Sequence, residues 1–195
     1  MLQSKEIGSP AVKVDKIDIP GADGDLDMTD YFGGAKYENT KHKFEFVTLA
    51  PSTEHLSLFS TIKNAIHGKK GRIIIDGDSS FYYMGRCHVS SFSNDKGAGY
   101  VTVECDCEPY KYKLIQTTVT KAVIGTEIVT LTNGRKRAVP TITTTATMTI
   151  SFGGGVWTHS AGTFIIPELE LVEGDNPIAI TGEGNITFTW QEGDL

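Results

Sequence analysis

Turn signals recurring roughly every eight to twelve residues, between short runs rich in β-branched and aromatic residues, constrain this chain more than any other feature. That rhythm predicts a mainly β protein. The alternation places strands over Val12–Ile19, Lys43–Leu49, Arg72–Ile75, Phe81–Ser91, Gly99–Cys107, Thr117–Ala122, Glu127–Leu131, Thr141–Thr145, Thr147–Phe152, Gly162–Ile166 and Asn185–Trp190. One helix, over 52–67, interrupts them. Pro51-Ser52-Thr53-Glu54 offers a hydroxyl cap and an early acid, Leu56, Phe59, Ile62 and Ile66 recur near helical spacing, and Gly68 with Lys69 and Lys70 closes the end. The stripe should cover one side of a sheet.

Composition changes after Leu114. The helix and nearly all Tyr and Lys lie before it, whereas Thr, Gly and Ile dominate after it with no helical period. This predicts two domains, 1–115 with the helix and 116–195 as a compact sandwich of about 80 residues. Asn133-Gly134, Gly153-Gly154-Gly155, Glu173-Gly174-Asp175-Asn176 and Gly182-Glu183-Gly184-Asn185 are expected to be its tight turns. The Thr-rich run from Thr141 to Thr149 reads as a strand pair, given Ile142, Met148 and Ile150.

A formal net charge of −6 argues against a surface built to hold phosphates. No apolar run approaches a membrane span, and Lys5 and Glu6 stand where a signal peptide would be apolar, so a cytoplasmic chain is expected. Cys87, Cys105 and Cys107 are expected to be reduced, with Cys105 and Cys107 on one strand face beside Val101 and Val103. No zinc site is expected. The five histidines, His42, His55, His67, His88 and His159, show no i,i+4 pair, and most read as surface or capping groups. His159-Ser160 reads as loop.

No nucleotide loop, nucleophile elbow or metalloprotease helix occurs, so the expectation is a protein that is not an enzyme and uses no cofactor or metal. Asp23, Asp25, Asp27 and Asp30 suggest calcium, but a calcium loop counted from Asp23 places Met28 where Gly is needed and Gly34 where Glu belongs. A charged strand edge fits them better.

Three stretches carry a resemblance. Ile19-Pro20-Gly21-Ala22-Asp23-Gly24-Asp25-Leu26-Asp27-Met28-Thr29, Tyr37-Glu38-Asn39 before Phe44-Glu45-Phe46, and Glu108-Pro109-Tyr110-Lys111-Tyr112 together resemble the distal tail protein (Dit) family of long, non-contractile-tailed bacteriophages. Gly134, Pro140, Glu170 to Ile178 and Trp190 extend the likeness over the C-terminal part. The chain departs from the pattern at Ala22 and Thr40, where relatives commonly carry Arg.

That resemblance implies two β-sandwich domains, the first with one α-helix and an extended arm, the second galectin-like or carbohydrate-module-like. It implies a structural virion protein at the tail tip, assembled in the host bacterial cytoplasm. The expected assembly is a homo-hexameric baseplate hub joining tail tube protein to a tail-associated baseplate protein and, further out, a receptor-binding protein. DNA would only pass through its channel.

The 13-to-30 segment, with Asp23, Gly24, Asp25, Leu26 and Asp27, is the expected oligomer interface and channel rim, since a ring needs two complementary patches per subunit. Acidic residues there would let DNA slide. The alternative is a module binding host cell-wall glycans, with Trp157, beside Phe164 and Trp190, stacking on sugar. A cell-wall hydrolase is the third reading, and no acid pair supports it.

Overall fold

The computed structural model describes residues 1–31 and 33–195. The chain divides into two compact units, one of Met1–Ile73 with Tyr83–Pro109 and the other of Ile74–Tyr82 with Tyr110–Leu195.

The first unit begins with β1 (Leu2–Ile7), followed by four short strands that form a hairpin arm: β2 (Val12–Lys13), β3 (Lys16–Asp18), β4 (Asp25–Asp27) and β5 (Lys36–Tyr37). β6 (Thr40–Thr48) returns to the body, α1 (His55–Ile66) follows a single 3-10 turn at Ser52–Glu54, and β7 (Lys70–Ile73), β8 (Phe81–Asp95) and β9 (Ala98–Lys113) complete the series. The sheet order is β1-β6-β9-β8-β7. Lys96 (φ 47°) and Gly97 (φ 86°) turn β8 into β9, with both residues in the left-handed region that two-residue hairpin loops demand.

Alternation along β9 buries Val101, Val103, Cys105 and Cys107 on one face, as the spacing predicts. Phe59, Ile62 and Ile66 of α1 pack against that face, together with Phe44, Val89 and Phe92. Leu56 instead points to solvent. Nor does a hydroxyl cap the helix, because the 3-10 turn places Glu54 at the cap position without a side-chain hydrogen bond. The His55 ring ties this end down, meeting Ala50 O at 2.8 Å and Asn94 Oδ1 at 2.7 Å.

Burial and strand register each correct the sequence reading here. His42 and His55 are fully buried rather than superficial. Cys87 and Cys105 are joined by a disulfide between β8 and β9, and only Cys107 remains a thiol, its pKa pushed up to about 12, mainly by burial. Cysteine number could not reveal a pairing set by strand register.

The second unit is organised by two long strands. β10 (Thr117–Asn133) and β15 (Gly174–Trp190) pair antiparallel over seventeen residues without a register shift, from Thr117↔Trp190 to Asn133↔Gly174. Between them in sequence lie β11 (Thr141–Thr144), β12 (Met148–Phe152), β13 (Gly155–His159) and β14 (Gly162–Ile165). β12 pairs with β15 over Ala179–Gly182 and β11 pairs with it over Ile186–Thr189. One edge of β15 thus serves two short strand pairs, the β12–β13 hairpin and β11 with β14. β16 (Gly193–Asp194) closes the chain on Lys111 and Tyr112.

The ribbon bends where its edge passes from one strand pair to the other. Gly125 (φ 78°) stands opposite Gly182, and a Cβ on Gly184 would come within 2.7 Å of Thr145 Oγ1. Strands that change sheets commonly do so at such glycines. The bend folds both halves around a core of Val129, Leu131, Ile150, Ile178 and Ile180 together with Ile142, Ile186, Phe188 and Trp190. Gly182 to Asn185 is therefore strand, not the expected turn, and 117–133 is one strand where two were predicted.

Outward positions carry threonine. Two rows cross four strands each, Thr120–Thr187–Thr143–Thr163 and Thr126–Thr181–Thr149–Thr158. Hydroxyls pair at 2.9 Å within each row, a cross-strand contact that adds to β-sheet stability.

Candidate functional site

The arm is the part of the first unit that its own core does not explain. Every residue from Ala11 to Asp27 is exposed. Val12↔Tyr37 and Lys13↔Lys36 pair at its base, and Lys16↔Asp27, Ile17↔Leu26 and Asp18↔Asp25 pair towards its tip. The single strand predicted over Val12–Ile19 is broken at Val14 and Asp15, where Met28 N donates to Asp15 O at 2.8 Å and Asp15 N donates to Thr29 Oγ1 at 3.2 Å. Gly21 (φ 87°) and Gly24 (φ 77°) turn the tip.

Period-two geometry gives this ribbon two unlike faces. Lys16, Asp18, Asp25 and Asp27 share one, with net negative charge and with Asp18 directly opposite Asp25. Ile17, Leu26 and Ile19 share the other, all more than 40% exposed. Thr29 hydrogen-bonds the Asp27 carboxylate through its hydroxyl and its backbone N–H, the latter at 2.9 Å, and with help from Lys16 holds it below the usual carboxylate range. Asp23 sits in the tip turn, whereas Asp30 belongs to the next turn, its carbonyl accepting from Gly33 and Gly34.

A two-stranded ribbon with no buried side chain is marginal in water by itself. Its apolar face needs a partner. The sequence pointed to the 13-to-30 segment and named Asp23, Gly24, Asp25, Leu26 and Asp27 in it, without singling out Ile17 and Ile19, which lie on the same face as Leu26. The signal was present in the alternation of Lys16 to Ile19.

Trp157, the residue named for sugar stacking, is half-buried on β13 and packs against the core, its ring lying over Gly155 where a Cβ would otherwise stand. Trp190 is buried, donating from Nε1 to Asn133 Oδ1 at 3.1 Å, and Phe164 stacks on His159 with ring centroids 4.0 Å apart. His159 ends a strand instead of lying in a loop. Among the described residues, no group of three or more His, Cys, Asp or Glu could hold a metal ion, and no helix is long and apolar enough to cross a membrane.

No family model matches this sequence, and no curated protein does. The fold itself is similar to the crystal structure of SPP1 Dit (gp 19.1), with a TM-score of 0.74 at 16% identity, over 100% of this chain and 93% of that one. The chain has a Dit-like fold. SPP1 Dit is described as a paradigm of the hub adsorption apparatus in phages infecting Gram-positive bacteria. The whole backbone agrees here with the likeness that the ordered short motifs suggested.

Proposed function

We propose that this chain is a structural protein of a phage or prophage tail tip, a hub that joins the tail tube to host-facing baseplate proteins and catalyses nothing. The observation that carries this reading is the Dit-like fold over the full length of the chain. The finer proposal is a homo-hexameric ring of N-terminal domains (1–115), with the C-terminal domain (116–195) attached, assembled in the host cytoplasm and carried in the virion.

The arm supports the ring. Its apolar face of Ile17, Ile19 and Leu26 would be covered by the next subunit, and its acidic face of Asp25 and Asp27 would line the channel or its rim. A head-to-tail contact of this kind closes into a ring when its rotation does. An acidic lining repels DNA and so lets it pass.

Light scattering behind size exclusion over a concentration series, followed by negative-stain imaging, tests the proposal. Six times the 21.2 kDa chain mass in open rings is the expected result. A monomer at every concentration, even with tail tube protein added, would overturn it.

A further inference from the structure

The second unit carries an exposed edge that the hub reading does not use. Among the described residues, β10 hydrogen-bonds along one side only, to β15. Eleven of its seventeen residues are β-branched and none is proline. Long unguarded edges of this composition invite another strand. The outward positions from Thr118 to Thr132 carry no charge, and Ile124 and Ile128 on that face are 79% and 70% exposed.

The two charges on β10 decide which strand fits. Lys121 and Glu127 lie three residues either side of Ile124. In an antiparallel pairing of β10 with another β10 centred on Ile124, residue 121 of each chain stands opposite residue 127 of the other. Lysine then meets glutamate of the other copy twice, beside the 3.3 Å pair that Lys121 and Glu127 make within each chain, and Ile124 meets Ile124. A shift of two residues in either direction loses both matches. Inward positions stay inward, because paired positions share parity. The bend at Gly125 falls beside the axis in both copies, each Gly125 facing Val123 of the other.

We propose that β10 is a self-recognition edge, pairing antiparallel with β10 of a second copy about a two-fold axis at Ile124. The contact is isologous, unlike the head-to-tail contacts of a ring, and it stands whether or not the chain is a tail hub. If rings form, this edge joins chains of different rings.

Single cysteines in the full chain test the register. Residues facing each other across antiparallel strands have Cα atoms about 4.5–5.5 Å apart, within disulfide reach, so oxidised Ile124→Cys should give at least about ten-fold more covalent dimer than Thr118→Cys. Thr118 faces Thr130 of the other copy and has no cysteine opposite. Charge variants test the pairing in trans. Lys121→Glu and Glu127→Lys should each halve the sedimenting mass, and an equimolar mixture should restore it, an outcome that an ion pair within one chain cannot produce. Equal cross-linking by both cysteine variants overturns the proposal. So does a mixture of normally melting charge variants that stays at the lower mass. Ring formation is read separately by imaging, so loss of the hub reading and loss of this one are distinguishable.

Discussion

Lys121 Nζ and Glu127 Oε2 lie 3.3 Å apart although they stand six positions apart on a single strand. Straight β-structure would put their Cα atoms about 20 Å apart. The contact exists because β10 folds over at Gly125, whose φ of 78° no β-branched residue tolerates well. No atom outside the neighbouring residues lies within 4 Å of where a Gly125 Cβ would stand, so the demand there is conformational and not steric. Gly125→Ala should destabilise the second unit by about 1 kcal/mol, and Gly125→Val by more. Thermal unfolding monitored by a Trp157 or Trp190 signal checks this, and an unchanged midpoint for Gly125→Val would remove the bend from the explanation of the fold.

His42 should give the first unit an acid-sensitive step. Its ring is fully buried, accepts from Gly8 N at 3.2 Å on Nδ1 and contacts Tyr83 edge-on with centroids 4.4 Å apart, while Nε2 has no partner. Burial lowers its pKa below the usual 6.5. The folded state therefore holds the neutral ring at pH values where the unfolded chain already binds a proton. Stability is full above about pH 6.5 and falls, by up to about 1.4 kcal/mol per pH unit, as pH drops towards the folded value. Subtracting the pH profile of His42→Gln from that of the parent should isolate this slope, and parallel profiles would refute it.

Asn176 should be among the most sensitive positions of the second unit. It is buried, donates from Nδ2 towards Leu131 O, Val172 O and Gly174 O at 3.2, 2.9 and 2.9 Å, and accepts from Val172 N at 2.9 Å. Asn176→Ala strands those backbone groups away from water, at about 2–4 kcal/mol. Chemical denaturation of the variant measures the loss, and a change below half a kcal/mol would mean water replaces the amide.

Reducing the Cys87–Cys105 bond should loosen the first unit and spare the second. The cross-link spans 18 positions, for which chain entropy gives up to about 3 kcal/mol. Calorimetry with and without reductant checks this, the expected sign being a lower first transition only. A lowered second transition would contradict the assignment of the stabilisation to one unit.

Substitutions on the arm should separate assembly from stability. Leu26→Asp and Ile17→Asp change residues that touch no core, so melting should shift by less than about 0.5 kcal/mol. If the arm mediates the proposed ring, the same variants should lower the oligomer mass. Variants that melt normally and still form rings would free the arm of that role.

Where periodicity is strong and local, the residues announced the structure. Val101, Val103, Cys105 and Cys107 alternate, and they line one face of β9. Phe59, Ile62 and Ile66 hold helical spacing, and they dock as a stripe. Gly68 ends α1 because only a residue free to take φ 76° can stop it so sharply. Other features were misread for want of distant partners. Leu2 to Ile7, with Lys5 and Glu6, does not read as a strand, yet it pairs with β6 as β1.

Gly182-Glu183-Gly184-Asn185 and Glu173-Gly174-Asp175-Asn176 look like turns by composition. A glycine serves a bend inside a paired strand as readily as a hairpin loop, and nothing nearby in the chain distinguishes the two uses. Asn133 and Asn176 likewise suggest loops until the carbonyls they satisfy are brought within 3.3 Å.

From composition and spacing alone follow a mainly β chain, a single helix near 52–67, a cysteine-bearing strand face and an acidic, turn-rich stretch at 19–29. These depend on side-chain alternation and backbone preference, which act between residues a few positions apart. The packed structure alone decided that Cys87 meets Cys105, that His42 and His55 are interior, that 117–133 is one bent strand, and that Ile17 and Ile19 join Leu26. Each of those depends on which strand lies beside which, a choice made by burial of the whole core and not by any short stretch of chain.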